Sequence, residues 1–192
     1  TGKEDTEITV DLTGTESDGT VDCVTVTTLP PACEGVLYLA DGTTPVVAGT
    51  AITAAQAATL VFTPAANFNG TVTIPFTVTD DDGGVSVAAN EVITVNDVND
   101  LPTAVASTST GNEDTDITVD LTGTDIDGTV DFVTVTTLPP TSEGVLYLAD
   151  GTTPVVAGTA STPAHAAHLC FTPAAHCYGT VTIPVTVTDD DG

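Results

Sequence analysis

A chain of 192 residues that holds 27 acidic side chains against a single cation, Lys3, and has no Met or Trp carries a formal charge of −26. Such a surface repels nucleic acid, and no stretch approaches the roughly 20 apolar residues of a membrane-spanning helix. The compact state also repels itself at neutral pH, so divalent cations or high salt are the expected remedy.

Sliding the sequence against itself at an offset of 109 pairs Thr1 with Thr110 and Gly83 with Gly192, and 16 of the 83 pairs differ. A period of that size predicts tandem domains, each large enough for its own core. The expected division is residues 1–100 and 101–192, with a linker over 96–102.

In chain order, segments rich in Val, Thr and Ile and bounded by Gly, Asp and Pro predict strands over 8–12, 21–27, 35–39, 46–51, 60–63, 70–79 and 85–95. The Ala-rich stretch 54–58 allows a helical turn or two. In the segment 70–79, Val72, Ile74, Phe76 and Val78 alternate with polar residues, giving one core face and one wet face. Pro75 cannot donate to a ladder and predicts an edge or a bulge. Seven strands in about 100 residues predict an all-β fold of tandem immunoglobulin-like sandwiches with Greek-key connections. The first unit is expected to lack its first strand and the second its last, as in an interior stretch of a longer secreted chain whose open edges invite pairing with neighbours.

The carboxylates cluster in the turns and the linker. The candidate calcium ligands are Glu4, Asp18, Asp80, Asp81, Asp82, Asp97, Asn99, Asp100, Glu113, Asp125, Asp127, Asp189 and Asp191. Ca²⁺ takes six to eight oxygens, and short Asp-x-Asp-Gly turns supply several from one bend. The competing reading is that Asp and Gly simply make good turns.

The linker Asp97-Val98-Asn99-Asp100-Leu101 resembles the Asp-x-Asn-Asp-Asn linker of cadherin repeats, with Leu101 in place of the final Asn, and Asp125-Ile126-Asp127 resembles the Asp-x-Asp turn of the following repeat. The whole unit, with Phe-Thr-Pro-Ala-Ala-Asn-Phe-Asn-Gly at 62–70, is similar to the cadherin-like and bacterial immunoglobulin-like repeats of large secreted adhesins of the RTX type, which act in adhesion and biofilm. The resemblance implies an extracellular or cell-surface location, a role as a calcium-stiffened extender, and partners that are adjacent repeats of the same long chain or neighbouring subunits. It also implies ligand roles for Asp97, Asn99 and Asp100 in the linker, Asp125 and Asp127 in the second unit, and Glu4 with Asp80 to Asp82 in the first.

Eight of the differences between the copies fall between residues 52 and 69 of the first. The second copy there carries His165, His168, Cys170, His176 and Cys177, residue types that suit zinc or copper. Sequence drift or a Cys170–Cys177 disulfide explains the same residues without a metal, and Cys23 and Cys33 make a similar pair in the first copy. No Gly-rich phosphate loop, Gly-x-Ser-x-Gly or His-Glu-x-x-His is present, and His176 and Cys177 as sequence neighbours on a strand would face apart, so no enzyme is expected. The sequon Asn69-Gly70-Thr71 occurs in the first copy only. The readings carried forward are an adhesin or fibre extender, a filament subunit completed by strand exchange, and a transition-metal module at 165–178.

Overall fold

The computed structural model describes residues 1–17 and 19–191, and the chain divides into two compact units, Thr1–Val98 and Asn99–Gly192. The expected ligand Asp18 lies outside the described residues.

Unit 1 contains β1 (Gly2–Lys3), β2 (Ile8–Val10), β3 (Val21–Val26), β4 (Gly35–Tyr38), β5 (Ala51–Thr53), α1 (Ala54–Ala57), β6 (Leu60–Pro64), β7 (Gly70–Asp80) and β8 (Ala89–Asn96). They form two sheets, ordered β1-β8-β7-β3-β5 and β2-β6-β4. The alternating residues face inward: Ile8 and Val10, Val24 and Val26, Leu60 and Phe62, and Val72, Ile74 and Phe76 are all buried in one core. Sequence alternation thus becomes sandwich packing, each buried Leu or Phe contributing about 2–3 kcal/mol of transfer free energy.

Unit 2 repeats the plan with β9 (Thr103–Val105), β10 (Ile117–Val119), β11 (Thr122–Thr124), β12 (Val130–Val135), β13 (Gly144–Tyr147), β14 (Ala160–Ser161), α2 (Pro163–Ala166), β15 (Leu169–Pro173) and β16 (Val185–Asp189). Its sheets run β10-β15-β13, β14-β12-β16 and β11-β9.

Three local expectations change. The predicted strand over 46–51 is absent: Val46 donates its amide to Leu37, but Gly49, at φ +75°, turns the chain and donates to Val26, and only Ala51–Thr53 pairs with β3. The last strand of unit 1 begins at Ala89, with Val85 making only an isolated bridge to Thr79.

Pro75 lies neither on an edge strand nor at a bulge, since β7 is flanked by β8 and β3. It is tolerated because β3 ends at Val26, paired with Phe76. In the next position Thr27 donates its amide to the Pro75 carbonyl at 2.9 Å, and the reciprocal bond a proline cannot make falls just beyond the ladder.

The short helix is capped differently in the two units. Thr53 accepts from the Gln56 amide while the Gln56 side chain accepts from the Thr53 amide at 3.1 Å, a complete capping box. In α2 His165 stands at the Gln56 position, Pro163 opens the helix, and Thr162 makes no side-chain cap.

Candidate metal centre

Strand register assembles an acidic pocket within unit 2. Antiparallel pairing sets Thr103 opposite Thr124, so continuing the same register brings Asp100 opposite Asp127. The Asp100 amide donates to Asp127 Oδ2 at 2.9 Å. On the other flank, β12 begins at Val130 opposite Asp189, so the Asp125-Ile126-Asp127 turn leads straight to the end of β16. Asp189 is 4% exposed, and its Oδ2 accepts from Asn99 Nδ2 at 3.1 Å. Asn99 is thus bonded to Asp189 and Asp100 to Asp127, at the end of the unit that also carries Asp125.

The electrostatics of this pocket are uncompensated. Both carboxylate oxygens of Asp125 and Oδ1 of Asp127 are buried with no hydrogen-bond partner. A desolvated carboxylate must find a cation, a donor or a proton. The chain offers no Arg, and its sole Lys is in the other unit.

The neighbouring Asp190 has a different task. Its Oδ1 accepts from the Thr129 amide at 2.8 Å while its own amide donates to the Thr129 carbonyl at 3.1 Å. The Thr129 amide first, then the amide of Asp190 itself, hold its carboxyl below the usual range. Asp81 and Thr20 repeat the clasp in unit 1 at 2.8 Å, with the same lowering. Both carboxylates are fasteners of the turn, which limits what they can give a cation.

In unit 1, Glu4 is 2% exposed. Its amide donates to the Asn96 carbonyl at 3.0 Å, and its Oε1 accepts from the Val98 amide at 2.6 Å, while Oε2 is buried without a partner. The Val98 bond lowers its carboxyl pKa, but burial and the adjacent Asp97 outweigh it and leave it raised. Asn69 Nδ2 donates to Asp97, tying down the end of β8.

Asp80, Asp81 and Asp82 do not join Glu4 and Asp97. Gly70 pairs with Val95, next to Asn96, whereas Asp80 closes the far end of the 11-residue β7, roughly 30 Å away at the ordinary rise per residue. Asp80 instead accepts from the amides of Asp82 at 3.0 Å and Gly84 at 2.7 Å. Asp82 and Asp191 are exposed, and Glu113, the match of Glu4, is exposed beside Asp114 and His176. Sequence reasoning placed Asp189 and Asp191 together among the ligands; the strand register separates them, with Asp189 buried opposite Val130 and Asp191 exposed.

The histidines and cysteines of 165–178 do not converge. His168 lies 3.7 Å from Asp120, and His176 lies 3.5 Å from Asp114 and takes left-handed φ +58°. Among the described residues no ligand cluster unites His165, His168 and Cys170. Burial first, then the Asp116 charge, pushes the Cys170 thiol up, which disfavours the thiolate needed for metal binding or attack. Cys23, Cys33, Cys170 and Cys177 are free thiols.

Residues 1–94, and again residues 99–192, match the bacterial Ig domain family. The chain belongs to this family. Its two bacterial Ig domains are structural, non-catalytic modules of the kind found in extracellular and cell-surface proteins. No helix among the described residues is long and apolar enough to cross a membrane. No curated protein and no solved structure matches the chain.

Proposed function

We propose that the chain is a spacer of an extracellular adhesin or fibre, in which Ca²⁺ fixes the linker to the second bacterial Ig domain. The observation that carries this reading is the buried, unpartnered carboxylate oxygens of Asp125 and Asp127 beside the buried Asp189. The donor set fits a hard cation: Asp125, Asp127, Asp189 and Asn99 offer only oxygen, and no thiol or imidazole stands among them. Asn99 and Asp100 belong to the linker yet bond to Asp189 and Asp127 of the domain body. A divalent ion would neutralise the pocket and leave less free chain to act as a hinge.

Calorimetry in low-salt buffer tests this directly. Saturable Ca²⁺ binding to unit 2, a higher melting temperature, and small-angle scattering profiles that indicate less inter-domain motion in millimolar calcium than in chelator are expected. Identical melting and scattering in calcium and chelator would overturn it.

A further inference from the structure

The outer face of the five-stranded sheet of unit 1 is set apart by what it lacks. Register and alternation fix which side chains stand on it: Thr71 pairs with Thr94 and Thr73 with Val92 on one flank of β7, and Thr77 pairs with Thr25 on the other, each next to a residue buried on the inner side. At the edge Gly2 pairs with Val95 and Lys3 with Asn96; Val95 is buried, so Lys3, the chain's one cation, stands outward. The acidic residues of these strands are Asp22, at the register shift where β3 begins, Asp80, the last residue of β7, and Glu91, which pairs with the buried Ile74 on the inner side. Among the described residues no carboxylate therefore stands between the rims of this face, in a chain that holds 27.

The general scarcity of Asp and Glu in strands does not account for this, because the other sheet differs. In β2-β6-β4, Ile8 pairs with Phe62 and Val10 with Leu60, all four buried, so continuing the register sets Glu7 and Asp11 on the outer side, and both are exposed. Unit 2 shows the same arrangement: Asp116, the match of Glu7, accepts from the Thr172 hydroxyl at 2.6 Å, and Asp120, the match of Asp11, lies 3.7 Å from His168. One face of the sandwich is thus acidic and the other neutral apart from Lys3.

We propose that the outer face of β1-β8-β7-β3-β5 is the surface through which a second copy of this chain packs alongside the first. A copy with a formal charge of −26 is repelled by the acidic turns and by the opposite sheet. In about 0.1 M salt that repulsion reaches only about 10 Å, so the carboxylate-free face is where contact meets least opposition. Its side chains also suit burial: Thr and Val are stiff at χ1 and give up little rotamer freedom when ordered, and Val92 is 53% exposed. At about 3.3 Å per residue and 4.8 Å per strand the sheet spans about 500 Å², so two copies bury about 1,000 Å² together, which fits a weak, reversible contact. Such a contact aligns spacers side by side and needs no calcium.

The test is a dilution series of the full chain in chelator, from micromolar to millimolar, at low and at high salt. Sedimentation should show a monomer–dimer equilibrium that strengthens with salt. Amide NMR shifts should move with concentration at Thr25, Thr73 and Thr94 while Thr9 and Thr63 hold still. Thr73→Asp, which sets a carboxylate against the partner, should weaken the dimer at least about tenfold, and Thr9→Asp, the same change on the acidic face, less than about twofold. A chain that stays monomeric at millimolar concentration in high salt, shifts that map to β2 and β6, or equal weakening by the two variants would each overturn the proposal. Calcium is absent throughout, so failure here leaves the spacer reading standing, and failure of calcium to bind leaves this one standing.

Discussion

Asn99 donates from Nδ2 to Asp189 Oδ2 at 3.1 Å, joining residues 90 positions apart at the point where the linker enters unit 2. The bond uses one lone pair of a buried carboxylate, and both oxygens of Asp125, in the turn before β12, remain without a donor. Linker and domain body are thus already in contact, and what the pocket needs is positive charge.

Replacing Asp125 or Asp127 by Asn should reduce calcium affinity at least about tenfold each, close to 1.4 kcal/mol, by removing a charged ligand. Asp82→Asn and Asp191→Asn, both at exposed positions away from the pocket's bonds, should change it less than about twofold. Titration calorimetry on the four variants in low salt checks the ranking. In chelator, Asp125→Asn should melt higher than the parent, because an unpartnered buried charge has gone.

Two turns should hold to unusually low pH. Asp41 accepts from the amides of Thr43 at 2.9 Å and Thr44 at 2.8 Å and from the Thr44 hydroxyl at 2.6 Å; Asp150 repeats this with Thr152 and Thr153. The Thr44 and Thr153 hydroxyl bonds, followed by the amides, bring both carboxyls down to about 2. The folded pKa lies below the ordinary 3.8, so this contribution is full above that value and is lost as the pH falls through about 2. Carbon-detected NMR of the two carboxyls should give midpoints near pH 2, and midpoints near 3.8 would mean the turn bonds are not held in solution.

Gly35 and Gly144 enter their strands at φ +144° and +155°. A Cβ on Gly35 would stand 2.5 Å from the Thr63 carbonyl oxygen and 2.5 Å from the Phe62 ring, and on Gly144 2.6 Å from the Thr172 carbonyl and 2.4 Å from the Phe171 ring. Gly35→Ala should therefore cost about 2–4 kcal/mol, combining backbone strain with overpacking. Gly49→Ala has positive φ but nothing within 4 Å of the added carbon, and should cost about 1 kcal/mol. Urea denaturation of the two variants checks the difference.

His165→Gln should restore in α2 the capping box that Thr53 and Gln56 form in α1, stabilising unit 2 by about 0.5–1 kcal/mol. The converse change, Gln56→His, should destabilise unit 1 by a similar amount. Domain-resolved melting followed by NMR reports both.

The sequence by itself determined the array, the all-β class and most strand positions, because side chains alternating at period 2 declare a buried face whatever surrounds them. It also determined that carboxylates gather in turns with almost no cation to answer them. It did not separate Asp189 from Asp191, of which one is buried at the end of β16 and the other exposed, since that choice follows from the register of β12 against β16. Nor could it reveal that Pro75 is harmless in a central strand, which depends on where β3 stops. Which residues of the hexapeptide 70–75 reach the core was likewise decided by pairing: with β8 on one flank and β3 on the other, Val72 and Ile74 face inward and are fully buried, because a strand's hydrogen bonds belong to its partners and tertiary structure sets their register.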